Sequence, residues 1–570
     1  MPLYTTGSFT FPMSLRDDYR ADALLGDFYQ NAYGGSAGPQ AWGSNVITYS
    51  FPTGNALWAD GLNYGNGEVR AGWIPFNDLQ KAAARKALDA WASVANITFV
   101  EVPDGQSVGD IRFAFTYGVD TTAAAHAYHP MSGVATAGDV WVEAERANQT
   151  FTSSSVSRAA FYVAIPGQQL PSPLPQLYDQ ASAFNYQILL HEIGHALGLS
   201  HPFAKAGQTR STAVLPSLED NYDNTVMSYT SRAHPVTPTT PMSYDILAIQ
   251  WLYGWNTAHN ASDTTYTFDS TEINFLTVYD AGGIDTIKAT DQRGLLLSAA
   301  VNPDGDIIDL NYYNSAANGP GSGSSIGFYS SSLVDNIGSL AFRFRNIFIA
   351  PGVDIENAIG SDARDTIWGN HLNNKITGNL GSDSIDGGAG IDTSIYSANR
   401  GSYTVAKTST GWTVSDNFTT KLITNASASF TDMLSSIERL QFSDVSVALD
   451  LTGNAGKVAK ILGAVFGPAA VANKAYVGIG LQLLDSGTSY EALTALAIGA
   501  ASASTPQQIV NLLWTNLMGS APTAQEAQPY VDLLNGGMTA GQLGVLAADS
   551  SFNTARINLA GLISSGIEYV

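Results

Sequence analysis

Three of the eight histidines in this 570-residue chain fall in the segment 191–201, which reads HEIGHALGLSH. The apolar run before this segment predicts a buried helix, on which His191 and His195 project from the same face because they are four positions apart. Gly198 can adopt a positive φ and end that helix, so the chain can turn and bring back His201 as a third ligand. Three imidazoles leave one position of a zinc ion open for water, which is typical of a catalytic rather than a structural zinc site.

Glu192 directly follows the first histidine and is the candidate general base. It can reach a water on the metal without itself being a ligand. The alternative is a satisfied core histidine on an apolar helix, and the short pattern H-E-x-x-H also occurs by chance. Here the pattern continues as H-E-x-x-H-x-x-G-x-x-H, the longer signature of the metzincins, so the segment predicts a zinc site.

A second segment, 225–229, reads TVMSY and lies downstream of the histidines. By itself it would be an ordinary strand or turn with a buried methionine. At this distance it resembles the Met turn of the metzincins and the tyrosine that serralysins place near the zinc. The chain is therefore similar to the serralysin-type zinc endopeptidases of the metzincin clan. The resemblance implies that Met227 forms an apolar floor under the imidazoles. It also implies that Tyr229 ligates the metal at rest and hydrogen-bonds the tetrahedral intermediate.

The composition narrows the classes of function. The net charge is −23, which argues against a nucleic-acid partner because phosphates are bound by lysine and arginine. Acidity suits calcium binding through carboxylates, although solubility alone would also explain it. The chain has no cysteine, so disulfides are excluded. Its length allows two to four domains, and no apolar run is long enough to span a bilayer.

Residues 1–40 are interpreted as a leader or pro-segment and the start of the catalytic domain, without a recognisable Sec-type signal. Residues 41–255 are expected to form the zinc metalloprotease catalytic domain. Within it, the segment 140–142 resembles the edge strand that runs antiparallel to bound peptide in metzincins, although an ordinary sheet strand is the alternative. His126 and His129 are interpreted as residues of the rim or of the substrate cleft rather than as zinc ligands.

The second half of the chain changes in composition. Residues 260–400 are rich in Gly, Asn, Asp and Ser, and part of this stretch repeats every nine residues. The repeat is a degenerate form of G-G-x-G-x-D-x-U-x, the unit of calcium-binding parallel β-rolls, although a generic loop region is the alternative. Its acidic or amide position is occupied by Asp365, Asn374, Asp383 and Asp392.

In known rolls each ion lies between one turn and the turn two later. By that rule Asp365 pairs with Asp383, and Asn374 pairs with Asp392. The second site is expected to be weaker because Asn374 carries no charge. Oxygen ligands of this kind are those that calcium requires.

Two further segments resemble calcium-binding parts of serralysins. The segment 279–286 reads YDAGGIDT and is similar to W-D-A-G-G-N-D-T at the junction of the catalytic and roll domains. The segment 355–360 reads IENAIG and matches V-E-N-A-I-G. The calcium ligands that this resemblance implies are Asp280, Gly282, Gly283, Asp285 and Glu356.

The chain is thus predicted to contain an α+β metzincin catalytic domain, then a parallel β-roll and β-sandwich domain over residues 256–450, then an all-α C-terminal domain over residues 451–570. The last domain resembles a helical module appended to many secreted or surface-layer-associated bacterial proteins. The final residues, IEYV, are similar to the C-terminal signal of type I secretion substrates.

Two functions remain open at this point. The first is a secreted, calcium-stabilised zinc endopeptidase that acts on protein or peptide substrates, with a cell-surface component as a further partner of the helical domain. The second is a surface-layer or adhesion-associated calcium-binding protein whose metalloprotease domain is inactive or processes only itself. Neither includes a nucleic-acid partner or a transmembrane segment.

Overall fold

Strands and a few helices alternate up to residue 450, and helices follow from there almost to the C-terminus. A computed structural model describes residues 18–25, 41–54, 56–59, 61, 64–105, 108–118, 123–131, 133–152, 156–157, 180–204, 214–230, 237–269, 272–290, 306–310, 325–328, 347–362, 364–417, 420–421, 427–428 and 430–570. Most of the leader expected at residues 1–40 therefore lies outside the described residues. The chain divides into a first unit, made of Met1–Thr286, Thr290–Gly294 and Leu310–Ile355, and a second unit, made of Ile287–Ala289, Leu295–Asp309 and Glu356–Val570.

The elements are numbered in chain order. The helices are α1 Tyr19–Leu25, α2 Glu68–Ala71, α3 Asp78–Val94, α4 Gln180–Ala196, α5 Ser243–Tyr253, α6 Asn454–Phe466, α7 Lys474–Asp485, α8 Tyr490–Ala500, α9 Pro506–Met518, α10 Ala524–Asn535, α11 Ala540–Ala548, α12 Ser551–Arg556 and α13 Leu559–Ser565. The strands are β1 Val46–Ser50, β2 Trp73–Pro75, β3 Thr98–Glu101, β4 Ile111–Thr116, β5 Ala125–Ala127, β6 Val140–Glu143, β7 Val156–Ser157, β8 Thr265–Asp269, β9 Glu272–Ile273, β10 Leu276–Val278, β11 Thr286–Thr290, β12 Asp306–Asp309, β13 Ser325–Phe328, β14 Ile347–Ile349, β15 Asn357–Ile359, β16 Thr366–Trp368, β17 Lys375–Thr377, β18 Ser384–Asp386, β19 Thr393–Ile395, β20 Tyr403–Lys407, β21 Trp412–Asp416, β22 Thr420–Lys421, β23 Ser427–Ala428, β24 Thr431–Ser435, β25 Arg439–Gln441, β26 Ser446–Ala448 and β27 Ile567–Tyr569.

The first unit contains a mixed sheet with the strand order β3-β1-β4-β6-β5, and β2 pairs with β4. Strand β1 runs parallel to β3 and β4, and β6 runs parallel to β4. Helix α3 begins with a capping box, in which Asn77 and Gln80 exchange hydrogen bonds between side chain and backbone. Trp91 on α3 is fully buried and donates its indole N–H to the carbonyl of Leu190 on α4. This contact ties α3 to the helix that carries the histidines.

The prediction that residues 140–142 form the edge strand is wrong. These residues belong to β6, which lies between β4 and β5 and is buried. The physical reason is visible in the segment itself, because a run that is apolar on both faces is typical of an interior strand. Strand β5 pairs antiparallel with β6 and, among the described residues, is the outer strand at that end of the sheet.

The second unit contains short strands that alternate between two sheets. In one sheet β15, β17, β19 and β25 run parallel, and in the other β12, β16, β18 and β24 run parallel. Their central aliphatic residues are buried, as at Ile367, Ile376 and Ile385. Antiparallel strands continue each sheet, β21 and β20 on one and β26 and β27 on the other.

Helices α6 to α13 pack around a shared apolar core that includes Val458, Leu462 and Leu481. Three of these helices begin with capping boxes, at Thr505, Thr523 and Thr539. Within the part of the chain that the structure describes, no helix combines the length and the apolar character needed to cross a membrane. The coarse succession of an α/β part, a β-rich part and a helical C-terminal part agrees with the predicted fold class.

One buried ion-pair network joins the strands of the second unit to its helices. Arg439 on β25 is 3% exposed, and its guanidinium contacts Asp450 and both carboxylate oxygens of Asp485 at 3.1 and 3.0 Å. Asp450 also accepts the backbone N–H of Asn454 at the start of α6, while Asp485 ends α7. The Arg439 guanidinium therefore links α6 and α7 to β25.

We expect Arg439→Ala to destabilise the second unit by about 3 kcal/mol, because it leaves partly buried carboxylates without their cation. The control is Lys474→Ala, which removes a half-exposed ion pair with Glu568 and should cost less than about 1 kcal/mol. Urea unfolding followed by circular dichroism measures both. Equal losses for the two variants would contradict the role given to Arg439.

Candidate metal centre

The three predicted histidines converge in a buried site. Helix α4 carries His191 and His195, and their Nε2 atoms lie 3.2 and 3.1 Å from Nε2 of His201. Nitrogens bound tetrahedrally to zinc at 2.0–2.1 Å lie about 3.4 Å apart. The structure therefore brings all three residues to the spacing that one zinc ion requires.

Backbone carbonyls fix the tautomer of two of these rings. Nδ1 of His191 lies 2.8 Å from the carbonyl oxygen of Val226, and Nδ1 of His195 lies 2.7 Å from that of Leu199. A carbonyl oxygen only accepts, so each Nδ1 carries the proton and each Nε2 presents a lone pair. Burial, followed by the neighbouring histidines, holds the pKa of His195 well below its ordinary value. Neutral imidazoles are the form that binds a metal.

The turn after α4 has the geometry that the sequence predicts. Gly198 has a φ of +111°, in the region that favours glycine. Two distant side chains bind carbonyls at the end of the helix, Trp42 at Ala196 and Tyr253 at Leu197. These donors satisfy groups that a helix end leaves open. The segment 191–201 itself gives no indication that Trp42 and Tyr253 bind there.

Met227 is fully buried and lies against helix α4. A Cβ placed on Gly194 would lie 2.6 Å from its sulfur, so the glycine inside H-E-I-G-H allows the methionine to approach. Met227 therefore packs on α4 at Gly194, and its role as an apolar floor under the histidines stays a prediction.

Asp245 holds the Met turn and was missed in the sequence. Its buried carboxylate accepts hydrogen bonds from the Thr225 hydroxyl at 2.5 Å and from the N–H groups of Val226 and Met242 at 2.7 and 2.8 Å. Burial raises the pKa of Asp245 to about 7, against the opposing effect of these donors. Because Val226 also accepts from His191, a chain of hydrogen bonds runs from Asp245 to a zinc ligand. An acidic residue in the otherwise apolar helix SYDILAIQWLY was the available signal.

Glu192 and Tyr229 lie beside the histidines. Glu192 is buried, whereas Tyr229 is 62% exposed. The Tyr229 ring stacks on His191 with centroids 5.6 Å apart and meets the His201 ring edge-on at 4.7 Å. Partial desolvation and then the charge of Glu192 raise the pKa of Tyr229 to about 12. Its hydroxyl therefore stays protonated at neutral pH and can donate a hydrogen bond.

His126 and His129 lie outside the triad of His191, His195 and His201. His129 is buried with its ring centroid 5.3 Å from that of His195. His126, on β5, contacts Glu68 through Nε2 at 2.9 Å. Tyr128 donates to the same carboxylate oxygen of Glu68 at 2.6 Å. His126 is thus engaged with a carboxylate rather than with the metal centre.

The junction residues that were predicted to bind calcium fall into both units. In the first unit Asp280 accepts hydrogen bonds from the Gly282 N–H and the Tyr266 hydroxyl, and buried Asp285 accepts from the Thr264 N–H. The φ values of Gly282 and Gly283 are +139° and +138°, so the turn requires glycine. In the second unit the main-chain carbonyl of Glu356 accepts from the side chain of Asn374.

The four repeat residues of the second unit are all fully buried. The N–H of Asp365 donates to Asp383 at 2.8 Å, and that of Asn374 donates to Asp392 at 2.7 Å. Among the described residues, Oδ2 of Asp383 and Oδ2 of Asp392 have no hydrogen-bond partner. A buried carboxylate oxygen without a partner is costly, so these atoms fit a bound cation.

The pKa values of Asp383 and Asp392 also fit a bound cation. Burial and the charge of Asp432 raise the pKa of Asp383 to about 9, and burial raises that of Asp392 to about 7. A cation would favour their charged forms. The Asn374 side chain differs, because it accepts from the Asn370 N–H and donates to the Glu356 carbonyl.

Comparison with known proteins adds a family match to this geometry. The family model described as matrixin matches residues 75–212, a range that contains the three histidines and Glu192. Serralysin of Proteus mirabilis is 31% identical over 348 residues, which are 58% of this chain and 60% of that protein. Serralysin of Photorhabdus luminescens is 32% identical over 53% of this chain and 54% of its own length. Metallopeptidase AprA of Pseudomonas marginalis is 31% identical over 54% and 57%. The chain thus spans between half and two thirds of each of these relatives.

We expect Asp245→Ala to weaken zinc binding by roughly 10- to 100-fold, because it releases the turn that orients His191. The control is Asp89→Ala, which removes an exposed carboxylate on α3. Competition with a chromophoric chelator gives the zinc affinity of each variant. If Asp245→Ala and Asp89→Ala bind zinc equally well, the hydrogen-bond chain does not position the ligand.

Proposed function

We propose that this chain, which the family match, the serralysin relatives and the histidine triad support as a serralysin-type metzincin, is a zinc endopeptidase that hydrolyses peptide bonds in proteins. The observation that carries the proposal is the convergence of the Nε2 atoms of His191 and His195 on that of His201, at 3.2 and 3.1 Å. The carbonyls of Val226 and Leu199 leave lone pairs on His191 and His195 for a metal.

His191, His195 and His201 would hold the zinc ion. Such an ion polarises a carbonyl and lowers the pKa of a bound water to about 7. Glu192 takes the proton of the attacking water and later delivers it to the leaving amine. The Tyr229 hydroxyl donates a hydrogen bond to the oxyanion that develops on the scissile carbonyl.

Strand β5 is the proposed docking strand for substrate. Its inner side pairs with β6, and an extended peptide can add to its outer side by main-chain hydrogen bonds. This assignment replaces residues 140–142, which are interior. His126 lies on this strand and His129 follows it, buried beside His195, so we propose both as residues of the rim or of the substrate cleft.

The second unit is proposed to be a calcium-binding parallel β-roll. The support is the alternation of short parallel strands between two sheets and the buried oxygen atoms of Asp383 and Asp392 that lack a partner among the described residues. The proposed ligands in this unit are Glu356, Asp365, Asn374, Asp383 and Asp392. In the first unit, Asp280, Gly282, Gly283 and Asp285 remain proposed calcium ligands. Calcium prefers oxygen donors of this kind.

Secretion is part of the proposal. The acidic, cysteine-free composition suits an exported calcium-binding protein, and the C-terminal residues are proposed as a type I export signal. The relatives named above are serralysins and a metallopeptidase, and they lend no support to the alternative of a surface-layer protein with an inactive protease domain.

Glu192→Ala should keep its zinc and lose proteolysis by a factor on the order of 10²–10⁴, because the general base is gone while the three ligands remain. Cleavage of casein, with and without a chelator, and the zinc content by mass spectrometry are the measurements. Glu145→Ala, at an exposed position, serves as the control and should match the unchanged protein. Cleavage by Glu192→Ala at the unchanged rate would rule out the mechanism.

Removing calcium should unfold the second unit before the first, because an ion that binds only the folded state stabilises that state by about 2.7 kcal/mol per site at 100 times its Kd. Calorimetry and circular dichroism of Glu192→Ala, kept in excess zinc to keep the catalytic site loaded, measure the effect. Calcium, and not magnesium, should restore the transition. Identical melting curves with and without calcium would refute the calcium roll.

A further inference from the structure

A stretch beyond the nine-residue repeat continues the two parallel sheets of the second unit. Strand β24 pairs parallel with β18, as β18 pairs with β16. Strand β25 pairs parallel with β19, as β19 pairs with β17. Residues 431–441 therefore form an additional turn of the coil, although their sequence lacks the repeat.

The repeat residues form two rows, the first made of Asp365 and Asp383 and the second of Asn374 and Asp392. Asp432 occupies the next position of the first row. Within the repeat, the Asp365 N–H donates to Asp383 at 2.8 Å, and the Asp365 carbonyl accepts from the Ser384 N–H at 2.9 Å. One turn on, the Asp383 N–H donates to Asp432 at 3.0 Å, and its carbonyl accepts from the Met433 N–H at 2.8 Å. The pattern is the same, although Asp432 lies 49 positions after Asp383.

Glu438 continues the second row in the same way. The Asn374 N–H donates to Asp392 at 2.7 Å, and the Asp392 N–H donates to Glu438 at 2.9 Å. The carbonyl of Asp392 then accepts from the Arg439 N–H at 2.9 Å, as that of Asn374 accepts from Thr393. The longer glutamate side chain reaches the amide that an aspartate reaches inside the repeat.

The backbone of the added turn also approaches its neighbour as a repeat turn does. A Cβ on Gly369 would lie 2.1 Å from the carbonyl oxygen of Gly387, and a Cβ on Gly387 would lie 2.1 Å from that of Ser436. Ser436 has a φ of +49°, so a serine adopts the left-handed conformation here. A carbonyl is thus placed beside Gly387 as in the repeat.

Protein groups compensate the acidic charge of this region only in part, because the charge of Arg364 opposes that of Asp383 while two carboxylate oxygens stay without a donor. Oδ2 of Asp383 and Oδ2 of Asp392 are buried and have no hydrogen-bond partner among the described residues. The nearby cation Arg439 is engaged with Asp450 and Asp485 instead. Buried oxygens of several carboxylates in one place are the donor set of a hard divalent cation.

We propose that Asp432 and Glu438 are cation ligands that extend the two rows by one position each. One calcium-class ion is shared by Asp383 and Asp432, and a second is shared by Asp392 and Glu438. The proposal rests on the calcium roll proposed above and adds two ions that the repeat alone does not predict.

The test compares Asp432→Asn and Glu438→Gln with Asp444→Asn, all in the Glu192→Ala protein with zinc present. Asn and Gln keep the oxygen that accepts the backbone N–H and remove only the charge. Asp444 is exposed and also accepts a backbone N–H, from Arg400, so its variant is a matched control. Bound calcium is counted by equilibrium dialysis with elemental analysis, and melting is measured with and without calcium.

We expect each of the two variants to bind one calcium ion fewer than Asp444→Asn, and the double variant to bind two fewer. The rise in melting temperature that calcium produces should be smaller in both. Without calcium both should melt at or above the temperature of the control, because each removes a charge from a buried acidic row.

Three results would overturn the proposal. The first is a calcium count and a calcium-induced rise equal to those of the control. The second is an equal loss of stability with and without calcium, which would make the residues structural only. The third is that the control itself binds no calcium, which would refute the proposed roll as well. The rows are independent, so Glu438→Gln decides the matter if Asp432→Asn fails to fold.

Discussion

The metal site of the first unit depends on one constraint, which is that the ring nitrogens of three buried histidines must be held close together. The Nε2 atoms of His191 and His195 lie 3.2 and 3.1 Å from that of His201, and two of these rings have their protons on the opposite nitrogen. Without a cation, this arrangement repels itself in a low-dielectric site. The surrounding protein therefore has to hold the rings in place, through the carbonyls of Val226 and Leu199.

The second unit repeats that design with carboxylates. Backbone N–H groups fix Asp383 and Asp392 by one oxygen and leave the other buried without a partner among the described residues. In both units the hydrogen bonds of the chain fix the donor atoms, and an ion bound there would offset the repulsion between them. Metal binding and folding are coupled wherever a site is assembled in this way.

The sequence predicts a site most accurately where its residues are a few positions apart on one element. His191 and His195 share a helix face because of their four-residue separation, and Gly198 has the positive φ expected of it. Asp245 could not be connected to His191 from the sequence, because the link passes through Val226 in a different part of the fold. Only tertiary structure brings these elements together.

The same limit explains the errors and omissions elsewhere. The apolar run of β6 is typical of an interior strand, but the strands that flank it follow from the strand order of the sheet, which no local pattern fixes. Asp432 and Glu438 lie outside the period of nine, and an insertion that forms β20 and β21 separates them from the repeat. The fold restores their register through parallel pairing with β18 and β19.

The end of the acidic rows also connects the sheets to the helices of the second unit. Glu438 accepts the N–H of Asp392 in the row, whereas the next residue, Arg439, binds Asp450 and Asp485 beside α6 and α7. Glu438 directly precedes β25 and Arg439 begins it, so this short stretch places an anion in the row and a cation beside the helices. An ion bound at Glu438 would fix the backbone of β25, and Arg439 on the same strand would transmit that order to the helical part. Stability of the helices then depends on how well the last turn of the coil is formed.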